Sequence, residues 1–136
     1  MTRPKFDAIP LGPLPVDLIN LALGVVLAPG NARLSAQAHR HMATDHPEDY
    51  PLCVASLGNA IKYPHYVGQG PQHEANFELI YRIPRIGPRA MLLAISMERD
   101  ANGDYSVRTA YLISQAKLEH RRQQGRIKPI NQKGPA

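Results

Sequence analysis

Tryptophan is absent from this 136-residue sequence, phenylalanine occurs twice and cysteine once. A core without those aromatics must come from Leu, Ile, Val, Met, Ala and Tyr. The single Cys53 excludes an internal disulfide. Its neighbours in PLCVASLG are apolar, which predicts a buried structural thiol. A nucleophilic thiolate would want a basic, partly exposed setting. No apolar run reaches ~18 residues, so no membrane span is expected. The opening MTRPKFDAIPLGPLPVD lacks the apolar stretch of a secretory signal, so a cytoplasmic location is expected. The length predicts one domain, residues 1–136, large enough for a real core.

The charge is confined to one end. Residues 1–114 carry ten basic and ten acidic side chains and are neutral. Residues 115–136 carry Lys117, Arg121, Arg122, Arg126, Lys128 and Lys133 against Glu119 alone, which accounts for the whole net charge of +5. A basic segment on a neutral body points to a polyanion partner, nucleic acid first.

Prolines 4, 10, 13 and 15 predict an extended Pro-rich lead-in over 1–15. Asp17 is placed to cap a short helix that Gly24 stops, and VVLA reads as a short strand ended by Pro29-Gly30. Ser35 caps a helix that ends near Thr44 or Asp45, because Pro47 disfavours helical geometry at His46. Pro47 suits the first turn of a further helix running to about Ile61. The second half changes period. ANFELIYRI alternates, RAMLLAISME is apolar on both faces as a covered central strand would be, and Asn102-Gly103 is a hairpin turn signal. In the next strand, regular alternation puts Tyr105, Val107, Thr109, Tyr111 and Ile113 on one face and Ser106, Arg108, Ala110 and Leu112 on the other. Ser114 caps a last helix, closed by Gly125. A flexible basic tail is expected over 126–136. The order predicts an α+β fold with a basic C-terminal helix.

Three of six histidines crowd into HRHMATDH. On a helix His39 and His41 lie ~200° apart, and His41 and His46 lack the i, i+4 spacing of a helical zinc pair, so no metal site is predicted. Histidine is suited to proton transfer near neutral pH, which makes His41 and His46 acid–base candidates, with His39 read as surface. Thr109 and Tyr111 share a strand face, and hydroxyls there can hold a phosphate or orient a proton transfer, with Arg108 beside them. In the last helix Lys117, Arg121 and Arg122 lie on one side and are candidates for phosphate contacts.

The order PLGPLP, VVLAP, HMATDHP, YVGQG, alternating strands, an Asn-Gly hairpin and VRTAYLIS followed by a basic helix resembles the phage-associated nuclease domains grouped with barnase, EndoU, the colicin tRNases and RelE, often called PBECR domains. The resemblance spans roughly residues 9–128. It implies N-terminal helices packed on a four-stranded antiparallel sheet. It also implies metal-independent RNA cleavage without a cofactor, in a phage protein or in a toxin delivered between bacteria, with a cognate immunity or antitoxin protein as a further partner. By the same resemblance His41 and His46 match the family's histidine element, and Thr109 and Tyr111 its late-strand hydroxyl pair.

The chemistry would be attack of the ribose 2′-OH on the adjacent phosphorus, giving a 2′,3′-cyclic phosphate. His41 or His46 would serve as base or acid, Thr109 and Tyr111 would hold non-bridging oxygens, and Arg108 would offset developing charge. DNA lacks the 2′-OH, so RNA is the expected substrate, tRNA included. The alternative is a non-catalytic RNA-binding domain, or a phage structural domain whose charged helix meets a partner protein.

Overall fold

The computed structural model describes residues 6–69, 75–84 and 89–130. Their elements run β1 (Ile9–Pro13), α1 (Val16–Leu23), β2 (Asn31–Leu34), α2 (Ala36–Asp45), α3 (Tyr50–Lys62), β3 (Tyr66–Gly68), β4 (Asn76–Tyr81), β5 (Ala90–Arg99), β6 (Tyr105–Ile113), α4 (Gln115–Gln123) and β7 (Ile127–Pro129). His73 and Lys133 lie outside the described residues.

The class is α+β, but the sheet has seven strands rather than four. Their order is β1-β2-β6-β5-β4-β3-β7, and every neighbouring pair is antiparallel except β2 with β6. The four-stranded expectation fails at both margins. Part of the Pro-rich lead-in is β1, an edge strand that takes in Pro10 and Pro13. Edge positions tolerate proline because one side of the strand needs no ladder donor. VVLA is not a strand; the strand follows it, at β2. At the far margin the expected flexible tail instead begins with β7, paired to β3, with Ile127 and Ile130 buried. Gly68 makes that pairing close. A Cβ there would run into the Arg126 carbonyl and the Ile127 side chain.

The sheet is covered on both faces. One face carries α1, α2 and α3 over Phe77, Leu79, Met91, Leu93, Ile95 and Val107, the larger core. The other carries α4, whose Leu118 is buried with Ile80, Leu92, Ile113 and Ile127. β5 lies in the middle and is apolar on both sides for that reason. Asp17 does not cap α1, which starts after Pro15 with Asp17 inside its first turn, but two other helix starts follow the local chemistry. Ser35 Oγ accepts from the Ala38 N–H at 3.1 Å and Ser114 Oγ from the Lys117 N–H at 3.2 Å. Pro47 does not open α3. Residues 47–49 form a turn in which the His46 carbonyl accepts from the N–H groups of Asp49 and Tyr50, and α3 starts after it.

Candidate active site

The site follows from the one parallel pair. β2 runs beside β6 only as far as Leu34, opposite Val107. There the chain leaves the sheet as α2, and β6 continues without a strand neighbour on that side. α2 and the turn after it occupy the vacated edge. Asp49 completes the cover: its Oδ2 accepts the Leu112 N–H at 3.2 Å. An edge donor that β2 would have taken is satisfied by a carboxylate instead.

β6 is irregular at the same place. Thr109 pairs with Ala94 and Val107 with Ile95, so Arg108 is an extra residue with no counterpart on β5. This bulge breaks the alternation that the sequence predicts. Val107 and Ala110 face the larger core together, whereas Thr109, Tyr111 and Ile113 face the α4 side with Leu92 and Ala90 opposite the last two. Bulges commonly re-aim a side chain beside a functional site. Here the bulge leaves Arg108 exposed, at the edge facing α2.

A cleft of about 180 Å³ lies between α2 and β6, lined by Ser35, Gln37, Ala38, His41, Ser106, Val107 and Arg108. His41 and Arg108 therefore share one small polar cavity. His41 Nδ1 lies 3.3 Å from Asp45 Oδ2, one turn further along the helix. A carboxylate only accepts, so Nδ1 carries the proton, and Asp45 biases the ring's orientation. Both side chains are well exposed, so the pair adds little stability. The Ala36 and Gln37 N–H groups have no intrahelical acceptors, whereas Ser35 Oγ takes that of Ala38, so the positive end of the helix lies at the Ser35 end of the cleft.

His46 is not a lining residue of this cleft. It is half-buried, and its ring stacks on Tyr111 with centroids 5.3 Å apart and planes 28° apart. The two histidines of the predicted pair thus stand at different levels of β6, His41 near Arg108 and His46 at Tyr111. Thr109 lies between those levels, half-buried, with no side-chain hydrogen bond among the described residues. Ser106 and Ser35 were not candidates from sequence. Ser106 lines the cleft beside Arg108, just ahead of the bulge.

His39 is buried, not surface. Nδ1 donates to the Asp7 carbonyl at 2.8 Å, and Nε2 lies 2.6 Å from the Tyr50 hydroxyl. It is a packing histidine with both ring nitrogens satisfied. His65 differs in being exposed. Its Nδ1 accepts the Arg82 N–H at 3.0 Å, and partial burial, with the Arg82 charge second, lowers its pKa below the ordinary value of 6.5. Cys53 is fully buried, and burial, with Asp49 nearby, pushes its thiol up to about 12, which leaves it inert. Among the described residues, no group of three or more His, Cys, Asp or Glu comes together that could hold a metal ion.

The basic helix is less free than its charge suggests. Arg121 Nη1 donates to Glu78 Oε1 on β4 at 2.6 Å, partly buried. Arg122 pairs with Glu119 at 3.1 Å and lies over the Tyr66 ring, 5.6 Å from its centroid. Arg82 lies at the same distance from that ring and donates to the Tyr66 hydroxyl. Lys117 is exposed and has no ion-pair partner among the described residues.

No family model, no curated protein and no solved structure matches this chain.

Proposed function

We propose that the protein is a metal-independent endoribonuclease in which His41 and Arg108 act on one phosphate of an RNA chain. The observation that carries this reading is the cleft that His41 and Arg108 line together, built by α2 and the β6 bulge. A phosphodiester in it would meet a guanidinium, the Ser106 hydroxyl and the positive end of α2. His41, its Nδ1 held toward Asp45, would turn Nε2 to the substrate and take the 2′-OH proton as that oxygen attacks phosphorus. The bond to the 5′ oxygen breaks, and that oxygen gains a proton from a second group, for which His46 is the candidate. Arg108 offsets the charge that builds on the non-bridging oxygens. Of the cations on α4, Lys117 is the one free to hold flanking phosphates. Arg121 and Arg122 act through their internal pairs, steadying α4 against β4 and Tyr66. The toxin or phage setting, and an immunity protein that would cover the cleft, follow from the resemblance described above.

A non-catalytic RNA-binding role is the second reading. The separation of His41 from His46 along β6 favours it, since the cleft itself then holds a single histidine. The test is a defined RNA oligonucleotide and its all-deoxy counterpart, incubated with the protein in EDTA. The proposal expects cleavage of the RNA alone, with a 2′,3′-cyclic phosphate on the upstream product. Cleavage of both strands, or of neither, would overturn it, and retained binding without cleavage would favour the second reading.

A further inference from the structure

A wider groove of about 620 Å³ opens from the same bulge, on the stretch of sheet where β4 begins, β5 ends and β6 begins. Asn76, Ser96, Glu98, Arg99, Ser106 and Arg108 are among the side chains that line it. Ser106 and Arg108 belong to both cavities, so the groove continues the His41 cleft. Its volume falls within the ~300–1,000 Å³ of small-molecule sites. Arg108 stands at the end shared with the cleft, and Glu98, Arg99 and Asp100 stand toward the β5–β6 turn.

The two carboxylates differ in availability. Asp100 Oδ1 is taken by the N–H groups of Asp104, the larger effect, and Asn102 in the hairpin turn, which holds its pKa below the ordinary carboxylate value. Arg99 Nη1 donates to the Pro29 carbonyl at 3.1 Å. Glu98 is exposed and has no hydrogen bond or ion pair among the described residues. Glu98 is therefore the carboxylate of the groove with neither oxygen engaged among the described residues, open to a ligand. A ligand matched to this arrangement has an anionic end for Arg108 and an N–H-rich end for Glu98.

We propose that the groove is the subsite for the base next to the cleaved phosphate, and that Glu98 favours bases with an exocyclic amino group over uracil. The proposal rests on the ribonuclease reading for the identity of the phosphate. An ionised carboxylate only accepts hydrogen bonds. Adenine, cytosine and guanine each offer it an amino group, whereas uracil offers one N–H flanked by two carbonyls that the carboxylate repels. Asn76 and Ser96 add donor and acceptor groups along the groove wall.

The experiment titrates the full chain with inorganic phosphate and with the 3′-monophosphates of adenosine, cytidine, guanosine and uridine, and measures cleavage in parallel. The three amino-bearing nucleotides should bind at least tenfold tighter than phosphate and tighter than the uridine nucleotide. Ser96→Tyr, which fills the groove, should bring all four to the affinity of phosphate and leave phosphate itself unchanged. Glu98→Gln, a conservative exposed change, should remove the discrimination against uridine. Nucleotides that bind no tighter than phosphate, or an unchanged order of affinities in both variants, would overturn the proposal. Cleavage of RNA with either of those results would reject the subsite and leave the ribonuclease standing. Nucleotide binding with the expected order but no cleavage would reject the ribonuclease and leave the nucleotide groove standing.

Discussion

His46 stacks on Tyr111, ring centroids 5.3 Å apart, and this contact anchors the end of α2 to the part of β6 that β2 has left. Three residues on, Asp49 holds the Leu112 N–H. The two contacts fix the α2–α3 turn on the sheet edge and so set the distance from α2 to Arg108. Removing either should disturb the cleft without touching it.

Asp49→Ala leaves the Leu112 N–H without its partner. A lost hydrogen bond to a charged group costs about 1–3 kcal/mol. Chemical denaturation should show a fall of that size, and amide exchange at Leu112 should speed up. An unchanged midpoint would mean that solvent replaces Asp49 at no cost.

Arg108→Ala should leave folding intact, because Arg108 is exposed and bulged out of the ladder. It should weaken RNA cleavage by about 10²-fold or more if the guanidinium stabilises the transition state. Arg108→Lys should recover only part of the loss, since a lysine lacks the planar fork that matches a phosphate. Full activity in Arg108→Ala would remove Arg108 from the site.

Gly68→Ala should detach β7 from β3. The new Cβ would meet the Arg126 carbonyl and Ile127, which are backbone and buried side chain rather than a flexible tip. Overpacking of this kind costs about 1–3 kcal/mol. Thermal melting should drop accordingly, and proteolysis should begin at the residues after α4. A stable variant with protected Ile127 amide would show that the two strands can part without cost.

Stability should depend on pH through His65. Partial burial and the Arg82 charge lower its pKa, so the fold prefers the neutral ring that accepts the Arg82 N–H, and because His65 is exposed, solvent screening keeps the effect small. Well above 6.5 neither folded nor unfolded chain protonates it, and its contribution is complete. As pH falls below 6.5 the unfolded chain takes up the proton first, and stability declines toward the lower folded value. Melting temperatures between pH 7.5 and 5 should fall more steeply for the native chain than for His65→Ala.

Much of this was readable from local chemistry, and the misses share a cause. Ser35, Ser114, Gly24 and Gly125 mark helix ends by hydrogen bonding and left-handed geometry within a few residues, so those ends are visible in sequence. β4, β5 and β6 carry alternation or two-sided burial and are visible too. β1 and β7 are edge strands with prolines, which local rules assign to loops although an edge accepts them. The Arg108 bulge leaves no mark in VRTAY because its cause is a mismatch with β5. His39 reads as polar and exposed, whereas its partners, Asp7 and Tyr50, arrive from other parts of the chain. Glu78 is likewise remote from Arg121, so that pairing could not be foreseen from the charge count.

The central claim is that His41 transfers a proton in RNA cleavage without a metal. Its most direct measurement is the cleavage rate of one RNA substrate in EDTA for the native chain, His41→Ala and His46→Ala, each checked for folding by circular dichroism. The account predicts EDTA-resistant cleavage by the native chain and a loss of about 10²–10⁴-fold in His41→Ala, with a smaller or equal loss in His46→Ala. Cleavage that disappears in EDTA, or that survives in His41→Ala at the native rate, would contradict it.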